Sequence, residues 1–256
     1  MKVEIDKNKT NIILDAIKTN QKLVVRDLSG LSSESFAELD PNQKINLASG
    51  ISLFHKFSED FGPYGFGGCF PGQSLIVCKT VKDLVDILKA LESIEENINE
   101  NWTDKEKAVY LYGIMSKEFK PDPKFGCCSI SSFLTTKHGM CTQFSMVYCE
   151  LLRRQNIEAY VFASLEHAFN VVNIDGKFYP VDVQTASKKL NHFFGRKNYF
   201  TDVIEAVEIY DEATSQDKKT MDETYFEEKE IEAMLENLIP GYLEEKASRK
   251  NMSFDF

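Results

Sequence analysis

Cys141 follows a His-Gly-Met turn and precedes a run in which Phe144, Val147, Tyr148, Leu151 and Leu152 recur at i, i+3, i+4, i+7 and i+8. That spacing is one face of an α-helix, so the thiol falls in the helix's first turn. Unpaired N–H groups and the positive end of the helix dipole favour a thiolate there. Gly139 is read as the residue that allows a sharp entry into the helix. A nucleophile of this kind needs a base, and the base needs a group that orients it.

The segment 157–183, IEAYVFASLEHAFNVVNIDGKFYPVDV, supplies both. It reads as three strands, IEAYVFA, HAFNVVNI and KFYPVDV, the last two joined by Asp175-Gly176. This dipeptide is a strong short hairpin signal. A two-residue turn fixes the register, setting residue 174 opposite 177 and His167 opposite Gln184. The pleat then turns His167, Phe169, Val171 and Asn173 to one face, with Phe178, Pro180, Asp182 and Gln184 on the same face of the partner strand. Asp182 becomes the diagonal neighbour of His167, within ~7–8 Å by Cα. A one-residue slip would carry it to the other face. Asn170 points away from His167 in this register, and Asn173 lies too far along the strand, so neither competes with Asp182. Pro180 donates no N–H and belongs on an edge strand or at a break in the ladder.

The elements that must position these residues are legible to different degrees. Residues 1–95 mix helical and strand signals: TNIILDAIKT as a short amphipathic helix, KLVVRDL and QSLIVCKT as strands, and TVKDLVDILKALESIEENI as a helix. FGPYGFGGCFPG, residues 61–72, reads as a loop and carries neither a phosphate-loop ending nor dinucleotide-binding glycine spacing. WTDKEKAVYLYGIMSKEF begins with Thr103 and has Glu106 three residues on, a capping-box pattern. Trp102, at its start, is expected to line the core. Near the C-terminus Tyr225, Ile231, Met234, Leu235 and Leu238 form an apolar stripe that Pro240-Gly241 interrupts. The expected division is 1–95, a mixed α/β region; 96–200, the core that carries the chemistry; and 201–256, an acidic helical segment.

Composition narrows the function classes. The net charge of −10 lies in the last fifth of the chain, where residues 201–256 hold 16 acidic and 6 basic side chains. No basic stripe is present, which speaks against nucleic acid. The acidic segment reads first as a solvated helix surface and secondarily as a dock for a basic partner. No apolar run approaches the ~18 residues of a membrane span, and the N-terminal stretch lacks the apolar core of a signal peptide, so a cytoplasmic setting without membrane association is expected. The six cysteines have no CxxC spacing and are read as reduced thiols. A zinc site from Cys127, Cys128, His138 and Cys141 fits the usual ligand spacing poorly, so no metal is expected. Cys128 with His138 is a weaker nucleophile–base pair, because no orienter accompanies it. His55 and His192 sit beside aromatics and are read as packed.

On the residues GMC at 139–141, CELLRRQNIEAY after them and EHAFNVVNIDGKFYPVDV at 166–183, the chain resembles the transglutaminase-like cysteine-enzyme superfamily. The resemblance covers roughly residues 95–187, with Phe169 standing where the family often has tryptophan. It implies an α+β fold: a papain/transglutaminase-like core in which a Cys-bearing helix packs on an antiparallel sheet. The N-terminal α/β region and the C-terminal acidic helical segment flank that core. It also implies a nucleophile at Cys141, a base at His167 and an orienter at Asp182. The implied activity is acyl transfer on amide bonds of a peptide or protein through a thioester, with no cofactor. Hydrolysis of the peptidase type is favoured over amine cross-linking, since no calcium-loop pattern is present. An inert module that binds peptides in the same cleft is the alternative.

Overall fold

A computed structural model describes residues 4–49, 76–122, 124, 129–163, 167–189, 194 and 226–250. The sequence readings placed on Cys69, Cys127, Cys128, His55, His192, Tyr225 and the 61–72 loop lie outside the described residues.

The N-terminal layer begins with α1 (Lys7–Lys18), which starts where Asp6 accepts a 2.9 Å hydrogen bond from the Lys9 N–H. It turns Ile13 and Ile17 inward. Strands β1 (Lys22–Val25), β2 (Lys44–Ser49) and β3 (Ile76–Thr80) form a sheet with β2 in the middle, parallel to β1 and antiparallel to β3. Helix α2 (Val81–Glu95) follows β3 without a loop, because Thr80 and Asp83 satisfy each other's backbone N–H groups in a capping box. It buries Leu84, Ile87, Leu88, Leu91 and Ile94.

Helix α3 (Asp104–Glu118) starts with the expected Thr103–Glu106 box. Every residue from Ala108 to Gly113 is buried. A helix apolar on all sides belongs in the middle of a core, and α3 is packed by the helices before and after it. Trp102 stacks at a tilt on Tyr110, with centroids 5.3 Å apart, at the margin of that core. Helix α4 (Ile130–Thr136) ends at Lys137, whose left-handed φ of 60° closes the last turn. Between α3 and α5, the two-residue strands β4 (Lys120–Pro121) and β5 (His138–Gly139) pair in parallel.

Helix α5 (Cys141–Arg154) is the spine of the molecule. Its expected stripe, Phe144, Val147, Tyr148, Leu151 and Leu152, is fully buried. It packs on an antiparallel meander of β6 (Ala159–Ala163), β7 (Ala168–Ile174) and β8 (Lys177–Val181). The hairpin turn has φ of 53° at Asp175 and 80° at Gly176, positive at both positions. That matches a twist-compatible two-residue turn, and Ile174 faces Lys177 as the turn requires. Pro180 sits on the edge strand of the three. The ladder stops at Asn170 and Val181. The strand reading through residue 183 is thereby corrected: α6 (Val183–Lys189) begins there, so Gln184 is helical and does not oppose His167.

Charged anchors join the far end of α5 to the N-terminal layer. Arg154 binds Glu95 with Nε at 2.9 and 3.0 Å and reaches the carbonyls of Leu28 and Leu31 through Nη1 at 3.0 and 3.2 Å. Glu150 accepts from the Leu28 N–H, and the Ser49 hydroxyl lies 3.5 Å from its other oxygen.

Helices α7 (Glu228–Leu238) and α8 (Tyr242–Lys250) break at Pro240-Gly241, where Gly241 takes φ 81°. Ile231, Leu235, Ile239 and Tyr242 enter the common core. Gly113 makes room for them: a Cβ there would sit 2.5 Å from Ile239 Cδ1 and from Leu235 Cδ2. Tyr242 Oη lies 3.2 Å from Ser116 Oγ, and the Arg249 guanidinium donates to the carbonyls of Ser116 and Ser187 at 3.2 and 3.1 Å. Acidic groups on this pair find basic partners within the chain: Glu230 with Lys105, Glu232 with Lys246 and Glu245 with Arg249. Among the described residues, no helix is long and apolar enough to cross a membrane.

Burial raises the Glu150 pKa to about 7. A carboxyl with a raised folded pKa holds its proton in the folded state after the unfolded chain has released it. Stability therefore falls as pH climbs from about 4.5 to about 7, and the ionised form is a standing cost above that. Glu150→Gln keeps an acceptor for Leu28 and removes the charge. It should stabilise the protein by up to roughly 3 kcal/mol at pH 8 and by little at pH 5, as read from denaturant midpoints at the two pH values.

Candidate active site

Three turns of chain deliver Cys141. Lys137 reverses direction in the left-handed conformation, β5 runs beside β4, and the extended Met140 (φ −106°, ψ 175°) then hands over to α5. Met140 has no capping oxygen of its own. Instead its N–H donates to Gln143 Oε1 at 3.0 Å. The expectation for Gly139 is corrected here. Its φ is not among the positive ones, so backbone freedom is not what it supplies. A Cβ at Gly139 would lie 2.5 Å from Phe133 Cδ2 and 3.5 Å from Gln143 Cβ. Glycine lets the Phe133 ring, packed at a tilt on Phe119 and edge-on to Phe144, pass against the backbone just ahead of the thiol.

His167 stands immediately before β7, its ring roughly parallel to that of Phe169 with centroids 6.5 Å apart. Its Nε2 lies 2.6 Å from Asp182 Oδ2. Cys141 also acts on the ring, by hydrogen bonding and by charge. Asp182 is fully buried. It also caps α6, accepting the Thr185 N–H on Oδ1 at 2.9 Å, while its carbonyl accepts from Ala186 at 3.2 Å. One carboxylate thus starts a helix with one oxygen and holds the imidazole with the other.

The structure therefore brings Cys141, His167 and Asp182 into one hydrogen-bonded chain. The aspartate arrives there from the end of its strand, because the ladder has already stopped. Two further donors to the sulfur were not visible in the sequence: the Ala168 N–H and the Thr142 hydroxyl. A backbone N–H leaves no compositional trace. Thr142 adjoins the cysteine, but its side-chain direction depends on how the first helical turn is entered.

The amide of Asn170 is spent on backbone carbonyls, donating to that of Ser145 at 2.9 Å and that of Tyr160 at 3.2 Å. Asn173 donates to Glu158 Oε2 at 2.7 Å. His138 places Nδ1 2.6 Å from the Thr136 carbonyl. Among the described residues, no three His, Cys, Asp or Glu side chains group as metal ligands.

The electrostatics follow from these contacts. Burial pushes the Cys141 thiol up. Hydrogen bonding to His167 and the Ala168 N–H, the charge of the imidazolium and the Thr142 hydroxyl outweigh it, so its pKa sits below the ordinary thiol value. Burial likewise works against a charged His167, but the hydrogen bonds to Asp182 and Cys141 and their negative charges raise its pKa to about 9. A thiolate–imidazolium pair is therefore the favoured state between the lowered thiol pKa and about pH 9. The other described thiols behave oppositely: burial pushes Cys78 and Cys149 up to about 12.

A family model described as a transglutaminase-like domain matches residues 74–214. None of the curated proteins matches the chain.

At pH 7, iodoacetamide should modify Cys141 at least ~30-fold faster than Cys78 or Cys149. A difference of at least three pKa units gives roughly a thousandfold more thiolate, partly offset by its lower intrinsic nucleophilicity. Peptide mapping of partially labelled protein reads the ratio. His167→Ala should return the Cys141 labelling profile towards that of an ordinary thiol.

Proposed function

We propose, for a chain that belongs to the transglutaminase-like domain family, cysteine-dependent acyl transfer on amide bonds of a peptide or protein, with Cys141 as nucleophile, His167 as acid and base, and Asp182 as orienter. The observation that carries the reading is the single imidazole that bonds a buried carboxylate on one side and the thiol on the other. A helix packed on an antiparallel sheet, with Cys141 in its first turn and His167 just before a strand, supports the papain-like arrangement the resemblance implies.

The Cys141 thiolate attacks the amide carbon, and the carbonyl oxygen takes up negative charge. N–H groups of the first turn of α5 lack partners within the helix and can receive that oxyanion. The imidazolium of His167 gives its proton to the leaving nitrogen, the C–N bond breaks, and a thioester remains on Cys141. The neutral imidazole then takes a proton from the incoming acceptor, which attacks the thioester and releases the thiolate. Water as acceptor yields a carboxylate, by proteolysis or deamidation. A primary amine yields a new amide. Asp182 keeps Nε2 protonated, leaves Nδ1 to face the sulfur, and stabilises the charged ring without taking its proton. Hydrolysis of the peptidase type is the favoured outcome.

The test is a casein or mixed-peptide digest followed by mass spectrometry, with and without a primary amine, for the wild type and Cys141→Ala. Chain cleavage or a gain of about one mass unit, the amide-to-acid change, would mark transfer to water. A gain equal to the amine less ammonia would mark transfer to amine. Either should vanish in Cys141→Ala, and Asp182→Asn should lower the rate by on the order of 10²–10⁴-fold. A wild type indistinguishable from Cys141→Ala would leave a peptide-binding module and end the enzyme reading.

A further inference from the structure

The fourth residue of the His-Ala-Phe-Asn run has no part in the chemistry above, yet it is almost fully buried, at 1 % exposure. Its neighbours on the same face of β7, Ala168 and Val172, belong to the apolar core. An amide in such a place costs free energy unless its hydrogen bonds are met, and a valine would pack there without that demand. Asn170 meets it in a particular way. Its one nitrogen donates to the Ser145 carbonyl on α5 at 2.9 Å and to the Tyr160 carbonyl on β6 at 3.2 Å. A single side chain thereby fastens the cysteine helix, the histidine strand and the neighbouring strand at one point.

We propose that Asn170 is a positioning residue that locks β7 against α5 and so sets the contact between Cys141 and His167. The proposal rests on the function assigned above and adds a residue that touches neither substrate nor sulfur. The lever arms are short. Ser145 lies four residues from Cys141, about 6 Å along the helix. Asn170 lies two residues from Ala168, whose N–H reaches the sulfur, about 7 Å along the strand. A slip at the clamp therefore arrives at the thiol nearly undiminished. Apolar contacts between a helix and a sheet tolerate small slides, whereas two amide donors aimed at two carbonyls do not. A nucleophile and its base need to be held within about 0.5 Å.

The decisive experiment follows the pH dependence of Cys141 alkylation, which needs no substrate, alongside thermal melting. The variants are Asn170→Val, the smaller Asn170→Ala, and Val172→Ala as a control that removes packing from the same face. Asn170→Val should fold, slow alkylation at pH 6.5 about tenfold and shift the thiol profile upward by about one pH unit. Asn170→Ala should give the same shift with a lower melting temperature. Val172→Ala should lower the melting temperature and leave the profile in place. An unshifted profile in a folded Asn170 variant overturns the proposal, as does an equal shift in Val172→Ala. A wild type that shows the lowered thiol profile but transfers no acyl group would remove the enzyme reading, and the clamp would still stand on its own shift.

Discussion

A carboxylate removed from water must be answered by hydrogen bonds or by a cation. Asp182 is answered by both: one oxygen takes the first turn of α6 and the other takes the ring of His167. The two contacts depend on each other. The Asp182 cap favours a start of α6 at Val183, and the same bond fixes one carboxylate oxygen while the other meets the imidazole. The strand ladder has to end just before this point, which it does after Val181. Continued pairing would have put residue 183 into the sheet and taken away the cap.

From that contact the rest of the centre is a matter of holding one helix end against one strand start. The near end of α5 offers a thiol to His167, and the Ala168 N–H beside the histidine supports the same sulfur. The far end is secured by Arg154 and Glu95, both buried and both bonded several times over. Glu150, in the same region, accepts from the Leu28 N–H, and its burial raises its pKa to about 7. A spine fixed at its far end by directional bonds is well suited to hold its near end in register with a neighbouring strand.

The C-terminal pair shows how a strong charge bias can be reconciled with packing. Its apolar stripe enters the core beside Gly113, while Lys105, Lys246 and Arg249 lie against its carboxylates. A half-exposed pair such as Lys105–Glu230 contributes little by itself. The buried Arg249 guanidinium does more, because it meets the carbonyls at the ends of α3 and α6, groups that a helix cannot satisfy by itself.

Local patterns carried much of this into the sequence. The five apolar positions after Cys141, the Thr103–Glu106 box and the Asp175-Gly176 turn each involve residues within a few positions of one another, where geometry is nearly independent of the rest of the chain. They set where α5 begins, where α3 begins and which residues of the hairpin face each other. They also brought Asp182 close to His167, although both residues lie just beyond the strands. The sequence could not say where the ladder would stop, that Gly139 serves Phe133 and not its own backbone, or which carbonyls Asn170 grips. Those answers depend on partners six to twenty-five residues away and on how helix, turn and sheet close on one another. Periodicity and turn chemistry describe how one segment is shaped, whereas the depth and angle at which two segments pack are decided only when the whole core closes around them.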